Sequence, residues 1–273
     1  MKAIEINKNI EVVAAQLRYE IIKNSSLSKT PHLGSCLSCI DILVYLYWVH
    51  LKIDPYNPKD DNRDRLILSK GHAAPALFHV LAKRGFFSKN LLTNYGSDGS
   101  LFGEHPPAPK YLAGIEAATG SLGHGLPIGT GLALSAKKKK KRFSVYVILS
   151  DGECNEGTVW EAAMFASAKK LDNLIMIVDF NKWQATGRSE EILSINPLAD
   201  KWTAFGWETM EIDGHSFVDL EKCVSTRKEG KPLAVIAHTI KGKGISFMED
   251  DNNWHYRIPT AEEVELAKKE LNR

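Results

Sequence analysis

Residues 143–187 read FSVYVILSDGECNEGTVWEAAMFASAKKLDNLIMIVDFNKWQATG, and their order of strand, sharp turn, helix, strand and turn decides the fold. Phe143 to Leu149 and Leu174 to Phe180 are apolar and rich in β-branched residues, as strands buried on both faces must be. Between them Gly157 to Lys170 is Ala-rich, with apolar residues at helical spacing and two lysines near its C-terminal end, where the helix dipole favours cations. The unit predicts a right-handed βαβ crossover and hence a parallel, doubly wound α/β sheet with helices on both faces. Both strands would end at one edge of that sheet, at Asp151 and Asn181, where open α/β sheets take their ligands.

The residue types at that edge carry chemistry. Asp151 and Asn181, separated by 30 residues, offer a carboxylate and an amide oxygen, hard ligands suited to a small dication such as Mg²⁺. Gly152 lets the backbone approach a ligand, and the helix start behind it favours an anion. A dication beside a helix N-terminus points to a diphosphate. An ordinary Asp-Gly turn, with Asn181 capping the next one, accounts for the same residues taken singly.

Composition sets the bounds. The chain has 273 residues, 44% hydrophobic and 25% charged, enough for one large domain or two. A net charge of +2 gives no reason to expect nucleic acid or an anionic membrane as partner. No apolar run approaches membrane-spanning length, and MKAIEINKNIEVV lacks a signal-peptide core, so the cytoplasm is the expected location. The run KKKKKR at 137–142 reads as a solvated helix end ahead of a buried strand. Cys36 and Cys39 form a C-x-x-C without a second pair or a nearby His, which reads as packing rather than zinc.

Other stretches place polar residues at turns. Glu5 to Lys23 predicts an amphipathic helix, with Ile10, Val13, Ala14, Leu17 and Ile21 on its inner face. A polar loop carrying His32 then leads to a helix over 38–50. DRLILS at 64–69 predicts a short strand, followed by the turn Lys70-Gly71-His72 and a helix. FGEHPP at 102–107 holds His105 in a proline-fixed loop. ATGSLGHG at 118–125 has three glycines in six residues, so its backbone presses against a ligand or against a closely packed helix. Further strands are expected at 208–212 and 232–238, and Thr260 with Glu263 forms a capping box for a last helix.

The ordered set resembles transketolase, a thiamine diphosphate-dependent enzyme. SDG with Asn181 is similar to the family's GDG…N diphosphate motif, with Ser150 in place of the first glycine and Gly152 retained. PHLGSCLSCID resembles the family's GHPG stretch, and KGH, EHPP, TGSLGHG, FGW, DGH and TIKGKG match its landmarks in order. The resemblance implies that Asp151, Asn181 and the carbonyl of Trp183 hold Mg²⁺, or Ca²⁺ or Mn²⁺ in its place. His72, Gly120, Ser121, Leu122, Gly152, Glu156, Asn181 and His255 would contact the cofactor. His32, His105 and His255 would exchange protons with the sugar, being neutral or charged near pH 7. His124 stands where the family has Gln, and Tyr256-Arg257 follows His255 where the family often has Gly.

Nothing in the 273 residues resembles the pyrimidine domain, whose glutamate touches the aminopyrimidine in transketolases. The resemblance thus implies a single diphosphate-binding domain spanning 1–273, the N-terminal subunit of a split enzyme. A partner chain would supply the pyrimidine domain and its glutamate. Glu156 and Glu161 match glutamates near the family's subunit contact, which implies a dimer of this chain within an α₂β₂ assembly. The expected reaction is transfer of a two-carbon ketol unit from a ketose to an aldose. The alternatives are a deoxyxylulose-phosphate synthase, one chain of a 2-oxo acid dehydrogenase, or a non-catalytic regulatory subunit.

Overall fold

The apolar runs of the sequence become the strands of one five-stranded sheet in the computed structural model, which describes residues 2–226 and 228–272. In chain order the elements are α1 (Lys2–Ser28), α2 (Leu33–Ser38), α3 (Ile40–Tyr45), β1 (Arg65–Leu68), α4 (Ala74–Arg84), α5 (Gly125–Lys138), β2 (Val145–Ser150) and α6 (Gly157–Ala168). They continue as β3 (Leu174–Phe180), α7 (Ser189–Leu193), α8 (Leu198–Ala204), β4 (Glu208–Asp213), α9 (Phe217–Ser225), β5 (Leu233–His238) and α10 (Ala261–Leu271). All pairings are parallel, in the order β1-β2-β3-β5-β4.

Every residue of β2 and β3 is buried, so side chains of both parities must be covered. Tyr146, Ile148, Ile175, Ile177, Val235 and Ala237 face a layer built from α1 to α4, α9 and α10. Val147, Leu149, Met176, Val178 and Ile236 face α5, α6 and α8. Each such aliphatic side chain contributes about 1.5–3 kcal/mol on leaving water, which is why the sheet sits at the centre.

The chain steps from the edge strand β1 through β2 to the central β3, jumps to the far edge for β4, and returns to insert β5. The direction of winding therefore reverses between β3 and β5, the kind of place where open α/β sheets take ligands at the carboxyl ends of their strands. Register aligns these ends: Ser150 lies opposite Asp179, Phe180 opposite His238, and His238 opposite Asp213. Ser69, Asp151, Asn181 and Thr239 immediately follow four of the strands.

The helix expected over 38–50 begins earlier, at Leu33, breaks at Cys39 and closes with a π-helical turn over Leu46–His50. His32 causes the early start. It takes a left-handed conformation (φ 72°), its amide donates to the His255 carbonyl at 2.8 Å, and the chain turns inward from Leu33 onward. All four cysteines are free and buried, and burial raises the Cys39 thiol to about 12, as packing residues require. The lysine run is the exposed end of α5, with Lys137 paired to Asp172 at 2.6 Å. Thr260 and Glu263 form the expected capping box on α10. Among the described residues no helix is long and apolar enough to cross a membrane.

Candidate active site

Asp151 leaves β2 directly, and its carboxylate is fully buried. Its Oδ1 accepts from the Gly152 amide at 3.0 Å and its Oδ2 from the Ser189 hydroxyl at 2.7 Å. Among the described residues no Lys, Arg or His forms an ion pair with it. Burial pushes its pKa up to about 6; nearby Asp179 adds to the rise, while Ser189, Gly152 and Lys70 oppose it.

Asn181 leaves β3 and is also buried. Its Oδ1 accepts from the Trp183 amide at 3.1 Å, which leaves one lone pair, and the hairpin 182–189 follows. Trp183 and Arg188 pair across this hairpin, and its root is closed by the Ser189 amide donating to the Lys182 carbonyl at 3.1 Å. A buried carboxylate without counter-charge and a buried amide oxygen thus stand at the ends of two adjacent strands, hard donors of the kind a small dication takes, with the Trp183 carbonyl two residues beyond Asn181. Among the described residues no group of three or more His, Cys, Asp or Glu is placed to hold a metal, so a dication here would use this mixed set.

The histidines gather beside it. The rings of His32 and His255 are 5.1 Å apart, His32 and His72 5.6 Å, and His72 and His255 5.8 Å. His105 faces Gly120: a Cβ built there would lie 2.9 Å from the His105 ring. Glycine at 120 is thus what lets the 118–125 loop and the His105 loop meet. Ser121 and Leu122 are exposed, as is His124, whose Nδ1 lies 3.0 Å from the Leu122 carbonyl. Gly125 packs against Ser69, so close helix packing, not a ligand, accounts for that glycine. Burial lowers His32 to about 4, with His105 and Lys241 adding to it, and lowers His255 to about 3, with Lys241 and His32 adding to it. Both rings are therefore neutral at pH 7, which narrows the sequence expectation.

Several residues at the site carry no assigned role in the sequence. Lys241 is buried, donates to the Asn252 Oδ1 at 2.5 Å, and contacts His255 Nδ1 at 3.1 Å. An ammonium only donates, so Nδ1 of His255 accepts and Nε2 carries the ring proton. Lys70 is fully buried and ion-paired with Asp179, whose carboxylate also accepts from Ser38 at 2.6 Å and from Thr239. Glu153 lies under the motif loops and accepts from Ser69 at 2.5 Å, the Gly123 amide at 2.9 Å and the Ser150 amide at 3.0 Å. That pattern binds three separate motifs to one carboxylate. His215, of the Asp-Gly-His turn, bonds Asp41 at 2.7 Å and accepts from the Ile240 amide at 2.9 Å, a structural role. The paired glutamates downstream are different: Glu156 and Glu161 are both exposed.

The arrangement can hold an anion and its dication at one end of the crevice. At the other end it can present neutral imidazoles to a polar substrate. The family described as "Transketolase, thiamine diphosphate binding domain" matches residues 11–272. One chain of the apulose-4-phosphate transketolase of Phocaeicola vulgatus is 39% identical over 267 residues, covering 97% of this chain and 94% of that one. The 6-deoxy-6-sulfo-D-fructose transketolase subunit SqwG of a Clostridium species is 42% identical over 244 residues, covering 89% of this chain and 88% of that one. The crystal structure of transketolase from Campylobacter jejuni superposes with a TM-score of 0.91 at 31% identity, covering 97% of this chain but 43% of that one. The chain thus spans less than half of that solved transketolase. It belongs to the transketolase family and corresponds to the family's thiamine diphosphate-binding domain.

Proposed function

We propose that this chain is the N-terminal subunit of a two-chain transketolase, which moves a two-carbon ketol unit from a ketose to an aldose with thiamine diphosphate and Mg²⁺. The observation that carries this reading is the meeting of His32, His72 and His255, with rings 5.1–5.8 Å apart, beside an uncompensated buried carboxylate at one sheet edge. The Phocaeicola and Clostridium relatives are themselves named as subunits, which supports a partner-dependent enzyme.

Bound thiamine diphosphate supplies the carbanion-stabilising chemistry of the transfer. Asp151, Asn181 and the Trp183 carbonyl hold Mg²⁺, for which Ca²⁺ or Mn²⁺ can substitute. Gly152 and the backbone of Gly120, Ser121 and Leu122 let the cofactor approach, and His72 and Glu156 join them. His32, His105 and His255 bind the sugar hydroxyls. As a neutral ring, His32 can take a proton, while His255, whose Nδ1 is occupied by Lys241, has its Nε2 proton available to donate. Lys241 fixes the ring of His255 and adds a buried cation to the same site.

A second polypeptide supplies the pyrimidine domain and its glutamate, and two copies of this chain meet through Glu156 and Glu161 in an α₂β₂ assembly. The relatives' names make a modified, anionic ketose the donor class to try first. The test mixes this chain and its partner with thiamine diphosphate, Mg²⁺, a ketose and an aldehyde. Ketol transfer by the mixture and none by either chain alone is expected. Release of CO₂ from a 2-oxo acid without ketol transfer, or full activity of this chain alone, would overturn the proposal.

A further inference from the structure

The loop that carries the Trp183 carbonyl is held from outside by a residue of a different loop. Asp250 accepts from both arms of the Arg188 guanidinium, at 2.7 and 2.6 Å, and from the Trp183 indole at 2.8 Å. The same guanidinium lies over the Trp183 ring at 3.7 Å. Asp250 sits in a left-handed conformation (φ 58°), with its amide on the Lys241 carbonyl at 2.8 Å. Asn252 adds a second link, donating to the Ala185 carbonyl at 3.1 Å while accepting from Lys241. The 241–255 loop, which presents Lys241 and His255, is therefore fastened to the 182–189 hairpin. The root of that hairpin holds Ser189 against Asp151.

We propose that Arg188 and Asp250 form a latch that sets the position of the Trp183 carbonyl and of Ser189, and so tunes the dication affinity of Asp151 and Asn181 without touching the ion. This rests on reading Asp151, Asn181 and Trp183 as the dication site. The pair is half-exposed, and an isolated surface ion pair is worth little. Here the geometry is bidentate, the guanidinium stacks on an aromatic ring, and the acceptor is shared with an indole N–H. Three interactions on one carboxylate make a cooperative unit rather than a lone pair. Arg188 and Asp250 are positioning residues. They bring the phosphate-side loop and the histidine-side loop into one fixed relation.

The test uses the full chain in complex with its partner and titrates Mg²⁺ calorimetrically in the presence of thiamine diphosphate. Arg188→Ala and Asp250→Asn should each weaken Mg²⁺ binding about three- to tenfold. The double variant should be no weaker than the worse single, because both remove the same unit. Arg188→Lys, which keeps the charge but loses the fork and the stack, should recover only part of the affinity. Amide exchange at Gln184 and Ser189 in the full chain should rise in both single variants. Mg²⁺ affinities within twofold of the parent in both single variants, or effects that simply add in the double, would overturn the latch. Asp151→Ala separates the two levels. If it abolishes Mg²⁺ binding while the latch variants leave it intact, the metal reading stands and the latch fails. If it leaves Mg²⁺ binding unchanged, the reading beneath the latch fails.

Discussion

Two lysines, Lys70 and Lys241, are completely buried within the same crevice, and they are held in opposite ways. For Lys70, burial works against the charge, but the Asp179 carboxylate more than offsets it, and the ammonium is held more firmly than in water. For Lys241 burial dominates, the charge of Lys70 adds to it, and the pKa falls to about 8 against the pull of more distant Asp151, Asp179 and Asp251. Its direct partners, Asn252 and His255, are neutral. A buried charge with its own counter-ion is part of the scaffold. A buried charge without one is suited to pair with an incoming anion, and Asp151 is its mirror image, suited to a cation. The site thus holds one satisfied ion pair and two buried charges of opposite sign without counter-ions of their own, which the proposed diphosphate and dication would complement.

The largest effect should come from breaking the satisfied pair. Lys70→Met leaves Asp179 buried with only hydroxyl and amide partners, which costs about 3–5 kcal/mol of folding stability. Denaturant unfolding of the full chain would show a clear drop in midpoint. A companion Lys70→Met, Asp179→Leu variant should recover part of it. Unchanged stability in Lys70→Met would remove the pair from the scaffold.

Asp151→Asn should act in the reverse sense. The folded pKa of Asp151 lies above that of an unfolded aspartate, so in the chain alone its charge costs stability as pH rises through about 4 to 6. Removing that charge should stabilise the cofactor-free chain by about 1–3 kcal/mol at pH 7 while weakening Mg²⁺-dependent cofactor binding severely. Loss of both stability and binding would show that the carboxylate is structurally satisfied after all. Lys241→Met should follow the same logic with a smaller change in stability, at or slightly above the parent. Turnover of the assembled enzyme should fall roughly 10–100-fold, because a cation aimed at developing or resident negative charge is lost. A variant that unfolds early would place Lys241 with Lys70.

Much of this arrangement is legible in the sequence, and the reason is local. The strand–turn–helix–strand pattern of 143–187 has strong periodicity and one short connection, so its topology and the edge positions of Asp151 and Asn181 follow from elementary rules. The four histidines stand out by resemblance, each at a turn between elements. The pairings are not legible. Lys70 and Asp179 are 109 residues apart, and Glu153 reaches partners at Ser69 and Gly123, 84 and 30 residues away. No periodicity encodes such distances. Glu153 in particular reads as an ordinary first-turn acidic residue, whereas Glu156 and Glu161, which look alike in sequence, are exposed. The early helix start at Leu33 escapes a local reading because it follows the left-handed turn at His32, whose amide donates to the His255 carbonyl from the far end of the chain.

The smallest expected effect lies between the two kinds of charge, in the neutral histidines. In the chain alone His32 and His255 are lowered to about 4 and about 3, mainly by burial and also by the positive field of Lys241, while an unfolded histidine titrates near 6.5. Between these values the unfolded state holds more protons than the folded one. Stability is therefore fully present above about pH 6.5 and is lost progressively as pH falls towards 4. The loss is moderated because both rings border the open crevice, where water screens part of the cost. A His32→Asn, His255→Asn double variant lacks these two titrations while keeping the other histidines, so its unfolding midpoint should fall less than that of the parent between about pH 7.5 and 5.0. Carboxylates elsewhere contribute equally to both proteins and cancel in the difference. If the two midpoints fall in parallel, the imidazoles are freely solvated. The field of Lys241 would then not reach them, and the contrast between Lys70 and Lys241 would be confined to the lysines themselves.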